Sequence, residues 1–166
     1  MKTLLIFLLL IGGTEGLRGS GLRLLDGPTA HDFIKGLFKA IGETKDTKDL
    51  LQCAKNLESV IEKIHEALKR IMHLSIQDLI LGFGQLLGAL AEFNAAVKPC
   101  SNGYNTFNKL IDAIHSIDIF KIIQKVMQNT FFYVGYASSA IECFNKNLYE
   151  CVGKCIGIVL KELFLS

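Results

Sequence analysis

Apolar residues recur at helical spacing along nearly the whole chain beyond its first thirty positions, and no window alternates apolar with polar residues long enough to suggest a strand. The pattern predicts an all-α fold. From His31 to Ile41, the residues Phe33, Ile34, Leu37, Phe38 and Ile41 share one side, Lys35 and Lys39 lie opposite, and Gly42 is placed to stop the helix. From Lys48 to about Met72, Leu50, Ala54, Leu57, Ile61, Ile64, Leu68 and Ile71 follow each other in alternating steps of four and three, a seam for packing against another helix. Ser75 and Asp78 form a capping box that opens a third helix running to about Val97, before Pro99. Only a tight turn fits between the second and third helices, so they are expected to fold back as an antiparallel hairpin.

Beyond the turn Ser101-Asn102-Gly103, Phe107, Leu110, Ile111 and Ile114 mark a short helix, and another begins near Asp118 with Ile119, Ile122, Ile123 and Val126 inward and Lys121 and Lys125 outward. Asn129-Thr130 restarts a helix holding Phe131, Phe132, Val134 and Ala137. Asn147 and Glu150 form a second capping pattern, opening a last helix with Leu148, Val152, Ile156, Leu160 and Leu163 on one face. The expected architecture is a compact bundle of six or seven helices built from antiparallel hairpins and stapled by disulfides. It occupies residues 31–166 as a single domain.

The first sixteen residues place one Lys before the apolar run Leu4 to Ile11 and small residues after it, the layout of a secretory signal; residues 17–30 then form a flexible leader. The segment Leu79 to Ala91 is thirteen uncharged residues between Asp78 and Glu92, which suits a buried helix better than a membrane span. A secreted location permits disulfides among Cys53, Cys100, Cys143, Cys151 and Cys155. Cys53 and Cys100 lie at similar distances from the hairpin turn and are expected to pair across its open end. Cys143 and Cys151 close the last hairpin, leaving Cys155 buried or intermolecular.

Composition narrows the function by exclusion. Lys and Arg number 18 against 16 Asp and Glu, a net charge of +2 with no clustered basic excess of the kind nucleic acid requires. His65-Glu66 begins a zinc-protease pattern, but Lys69 stands where the second His is needed, and Cys151 and Cys155 are spaced one residue too far for a Cys-x-x-Cys site. No nucleophile elbow and no phosphate-binding glycine loop is present, so the chain is read as non-enzymatic, with no catalytic residue, metal or cofactor. Gly84-xxx-Gly88 and Gly153-xxx-Gly157 are small-residue steps that let helices approach closely, read as packing within the molecule.

Half of the residues are hydrophobic and mean hydropathy is +0.35. Sections such as LILGFGQLLGALA and NTFFYVGYA are apolar around most of their circumference, and a domain of this size has limited interior to hide them. A lipid-lined cavity, a membrane-facing surface and a subunit interface are the three destinations for that surplus. The helix FIKGLFKAI reads as an interfacial peptide, with Phe33, Ile34, Leu37, Phe38 and Ile41 as apolar contact surface and Lys35 and Lys39 as headgroup contacts; a core-facing helix has the same pattern.

The succession of a signal segment, DFIKGLFKAI, DLLQC, KPC before a glycine-containing turn, and IECFNKNLYECVGK ahead of KELFL resembles small secreted helical proteins of ciliated protozoa. That resemblance implies secretion and a helical, cysteine-containing fold, with no established activity to carry over. Saposin-like proteins share secreted helices, disulfides and lipid, but their multiple cysteine pairs near both ends are missing here. Two functional classes follow: a secreted lipid-binding or membrane-surface protein, or an extracellular structural protein that assembles into an oligomer, coat or filament. Non-reducing peptide mapping is expected to join the fragment holding Cys53 to that holding Cys100; a free Cys53 in folded protein would show the hairpin register to be wrong.

Overall fold

The computed structural model describes residues 28–53 and 57–166, and among them the secondary structure is helical throughout, with no strand. Eight α-helices follow in order: α1 (Pro28–Ile41), α2 (Lys48–Cys53), α3 (Leu57–Ile71), α4 (Ile76–Val97), α5 (Asn105–Ser116), α6 (Ile119–Gln128), α7 (Thr130–Asn145) and α8 (Tyr149–Leu160). A 3-10 turn, Lys98–Cys100, extends α4, and a wider π turn, Lys161–Leu165, extends α8. The signal segment and residues 17–27 of the leader lie outside the described residues. The last three leader residues do not form a leader: Pro28 opens α1, where its fixed φ suits the first helical position and its missing N–H removes no bond. The second helix expected from Lys48 to Met72 is described as α2 and α3, with Ala54, Lys55 and Asn56 outside the description.

The closest helix pair is α1 with α8, which run parallel and touch through backbone. A methyl group on Gly153 would overlap the Phe33 carbonyl oxygen, one on Gly36 would overlap the Glu150 carbonyl oxygen, and one on Gly157 would stand 2.6 Å from Ala40 Cβ. The step Gly153-xxx-Gly157 therefore packs within the molecule, as expected. Among the described residues Gly84 and Gly88 do not: both are exposed on the outer face of α4, with no described atom within 4 Å of a methyl group at either.

Helices α3 and α4 pack side by side across the short turn Met72–Ser75, with Gly82 against Ile71 and Ala67, and a Lys63–Glu92 ion pair at 2.5 Å further along. The turn passes through Leu74, whose φ of 61° is a left-handed conformation costly for a branched residue. At Ser75 the hydroxyl oxygen accepts the Asp78 N–H at 3.1 Å, and the hydroxyl donates to Asp78 Oδ2 at 2.7 Å. The carboxylate thus meets the cap side chain, not the backbone N–H that the capping-box expectation assigned to it.

The second capping expectation fails at Asn147. This residue has φ 57° and ends α7: its own N–H bonds the Phe144 carbonyl at 3.0 Å, and the Leu148 N–H bonds the Cys143 carbonyl at 2.9 Å. These two bonds are a Schellman closure, in which Asn is the usual substitute for Gly. Helix α8 consequently starts one residue later, and Leu148 is exposed instead of joining the buried face. The same hairpin carries the expected Cys143–Cys151 disulfide, with Cα atoms 5.9 Å apart.

At the far end of the α3–α4 pair, Cys100 is disulfide-bonded; the side chain of Cys53 lies outside the described ones, while α2, which ends there, packs on the 3-10 turn that holds Cys100. Polar contacts close this end. Glu43 Oε2 accepts the N–H groups of Thr106 and Phe107 at 2.9 and 3.2 Å, satisfying orphan donors of α5, and the Tyr104 hydroxyl donates to the Asp46 carbonyl at 2.6 Å. The Lys45 ammonium donates to the Asn102 carbonyl and stands 4.6 Å over the Tyr104 ring.

Two glycine substitutions should separate seam from surface. Gly153→Ala must push α1 off α8 against backbone and is expected to cost about 3 kcal/mol, at the upper end of overpacking. Gly84→Ala has open space and should gain up to about 1 kcal/mol of helix propensity. Thermal melts followed by circular dichroism check both; equal melting temperatures would contradict the close contact.

Candidate apolar contact surface

The helix that the sequence offered as a contact surface is a core helix. Phe33, Ile34, Leu37, Phe38 and Ile41 are at most 2% exposed, with Phe38 packed on Phe107 and Tyr104 at ring distances of 5.2 and 5.3 Å. Its lysines have a local partner: Lys35 and Lys39 stand 3.6 and 3.8 Å from the Glu150 carboxylate of α8. The bulky face turns inward because its edge, along Phe33, Gly36, Leu37 and Ala40, is pressed on α8, with Phe38 directed towards α5 and the lysines left outside. A lipid contact through α1 would need the fold to open.

The most exposed large apolar side chains lie elsewhere, along α6 and at the start of α7. Phe131 is 95% exposed, Phe120 71% and Met127 52%, whereas Phe33, Phe38, Phe83, Phe93 and Phe107 are all core residues. On α6, Ile122 and Val126 are fully buried and Ile119 partly so, forming the stripe that holds the helix to the bundle. Ile123, half-buried against the core, lies between that stripe and Phe120 and Met127, which stand at i and i+7 and face out. Together these positions span roughly 160° of the helix circumference at 3.6 residues per turn. The remaining arc holds Lys121, Gln124, Lys125 and Gln128.

Both ends of α6 are well defined. Asp118 Oδ1 accepts the Phe120 N–H at 3.0 Å as a side-chain cap, and Ile117 and Asp118 are extended. At the other end Asn129 leaves helical geometry with φ −138° and ψ 52°, and the Thr130 hydroxyl donates to the Val126 and Met127 carbonyls. One polar contact ties the body of α6 to a distant element: Lys125 Nζ donates to the Leu163 carbonyl in the π turn at 2.8 Å. Lys125 is thus half-buried, not freely outward as expected.

Helix α7 buries Tyr133, Ala137, Ala140 and Cys143 against its neighbours and turns Phe131 and Gly135 away. Burial raises the Tyr133 hydroxyl above the ordinary tyrosine pKa, with the Glu162 carboxylate adding to the effect. The register of α7 on α3 is antiparallel: His65 stacks on Phe144 at 4.4 Å, and Leu68 meets Ala137 and Ala140 around a cavity of about 10 Å³, room for about one water molecule. This brings the α3–α4 turn, with exposed Leu74 and Ile76, to the end of the bundle where α7 begins.

That small cavity also receives Cys155, which is buried and carries a free thiol. Burial raises its pKa, opposed in part by Lys154. Of the two alternatives for this cysteine, the structure places it inside, where no second copy can reach it. Helix α4 with its 3-10 turn, Ile76–Cys100, is long and apolar enough by length and composition to cross a membrane, but it packs Leu79, Phe83, Leu86, Leu90, Phe93 and Val97 into the core. Among the described residues no group of three His, Cys, Asp or Glu side chains is placed to hold a metal.

Comparison of the chain with protein-family models, with curated proteins and with solved structures gives no match. The pattern on α6 was the signal that periodicity alone passed over: the search for one inward stripe accounts for Ile119, Ile122, Ile123 and Val126 and leaves Phe120 and Met127 unassigned. The buried thiol gives a direct check on this packing. Labelling of Cys155 by a thiol reagent at pH 8 is expected to be at least a hundredfold slower in native protein than in denaturant, because the raised pKa and burial both deplete accessible thiolate. Fast labelling of the native chain would place Cys155 at the surface.

Proposed function

We propose that this chain is a secreted, non-enzymatic helical protein that binds lipid at a membrane surface through α6 and the start of α7. The observation that carries the reading is the exposure of Phe120 and Phe131 in a molecule that buries five other phenylalanines almost completely. Burying a side chain of this size contributes about 1.5–3 kcal/mol, so two left in water on consecutive helices are apolar contact surface without a partner among the described residues. Lys121 on the flank of the same helix suits anionic headgroups. In this reading the bundle is a platform stapled by Cys143–Cys151 and by the bridge expected between Cys53 and Cys100, and secretion is what allows both.

A second reading, self-assembly into an extracellular oligomer or coat, draws on α4. Its outer face shows Leu81, Gly84 and Gly88, a shallow surface with nothing packed on the two glycines among the described residues. The spare thiol does not support covalent assembly, since Cys155 is buried.

Flotation with phosphatidylcholine–phosphatidylglycerol vesicles tests the first reading. The wild-type chain is expected to float, and the double variant Phe120→Glu, Phe131→Glu to lose binding by about a hundredfold or more, with unchanged melting because both positions face water. A wild-type chain that stays at the bottom of the gradient, or a double variant that floats equally well, would overturn it. Large lipid-free particles in light scattering would favour assembly instead.

A further inference from the structure

The apolar arc of α6 is wider than the part the bundle covers. Ile122 and Val126 are buried and Ile119 and Ile123 half-buried, while Phe120 and Met127 continue the same arc into solvent. A helix that only needed to pack on the bundle would require the covered part alone. A helix lying in a membrane interface uses the full arc, with its lysines and glutamines towards the headgroups.

Three features make α6 separable from the rest. It is bounded on both sides by non-helical residues, Ile117 and Asp118 before it and Asn129 after it, where backbone rotation re-aims the helix without breaking its internal hydrogen bonds. Only Ile122 and Val126 of its ten residues are fully buried. Its polar tether is the Lys125–Leu163 carbonyl bond. A lipid phosphate is a stronger acceptor for that ammonium than a neutral carbonyl, because both partners are then charged. From Ile119 to Ile141 the only charged side chains are Lys121 and Lys125, so nothing on α6 or the first turns of α7 repels an anionic surface.

Resting on the membrane reading above, we propose that α6 swings out of the bundle on an anionic bilayer and lies in its interface, burying Ile119, Ile122 and Val126 in lipid together with Phe120, Ile123 and Met127. Exchange of the inner stripe from protein core to acyl chains stays close to neutral in hydrophobic terms when the bundle surface it uncovers also faces the acyl chains. The outer stripe moves from water to lipid, which supplies the driving force. The Lys125 ammonium passes from the Leu163 carbonyl to a headgroup phosphate.

The chain has no tryptophan, so single-tryptophan variants report position without background. Phe120→Trp samples the outer stripe, Ile122→Trp the inner one, and Ile119→Trp the half-buried edge, which accepts the larger ring if the Ile122 variant does not fold. Each full-length variant is mixed with phosphatidylcholine–phosphatidylglycerol vesicles carrying brominated acyl chains, and tryptophan quenching is read. Comparable quenching at position 120 and at 119 or 122 is the expected result, weakened several-fold in vesicles lacking phosphatidylglycerol. Quenching at 120 alone would overturn the swing while leaving membrane docking intact, with the bundle binding as a rigid body. No quenching at any position, while the chain still floats, would overturn it by placing the contact elsewhere. A concentration-dependent blue shift at 120 without vesicles and without flotation would overturn both readings in favour of a second copy of the chain.

Discussion

The backbone contact between α1 and α8 is the constraint from which the rest of the arrangement follows. Gly36 on one helix and Gly153 and Gly157 on the other allow the two to touch with no side chain between them, joining the first described helix to the last. With α8 pressed on the backbone of Phe33 and Leu37, the large side chains of α1 project past the seam into the core, where Phe38 meets Phe107 and Tyr104. Tyr104 in turn holds the loop after α1 through the Asp46 carbonyl, beside the turn that carries Cys100. The ion pairs of Lys35 and Lys39 with Glu150 decorate this seam; being exposed, they contribute little to its strength.

The same constraint reaches α6 by way of α8. Once α8 is fixed against α1, its π-turn extension has a fixed position, with Leu163 fully buried and the Leu163 carbonyl available to Lys125. Helix α6 is therefore seated by the end of the chain as well as by its own inner stripe. It is nevertheless the helix with fewest complete burials among the longer ones, and it carries the exposed aromatics. Tight packing at one place and loose packing at another are consistent with a division between a stable scaffold and an element that makes contact.

Much of the architecture was legible in the residues. The steps of four and three through Leu57, Ile61, Ile64, Leu68 and Ile71 gave the inner face of α3, all of it buried, and the glycine step in α8 marked a close helix contact. What periodicity could not decide was which way an amphipathic helix faces. Phe33, Leu37 and Phe38 with two lysines behind them describe an interfacial helix and a core helix equally well, since both need one apolar side; only the position of the neighbouring helices distinguishes them. Asn147 was ambiguous for a similar reason. An Asn near a helix boundary opens a helix by capping or closes one in a left-handed conformation, and the local sequence before Glu150 fits both.

The surplus of apolar residues divides once the neighbours are known. GFGQLLGALA, apolar around its circumference, places Phe83, Leu86, Ala89 and Leu90 in the core, and its outward side is made of Gly84 and Gly88 more than of large side chains. There the high hydropathy costs little, because little apolar area is left in water. Along α6 and at the start of α7 the outward residues are instead among the largest in the chain. A stretch with modest apparent hydropathy, interrupted by Lys121, Lys125 and two glutamines, thus exposes more apolar surface per residue than the stretch long enough to span a membrane. The exposed apolar surface is set by which side chains lie outside the packed stripes, and at α6 those are Phe120 and Met127.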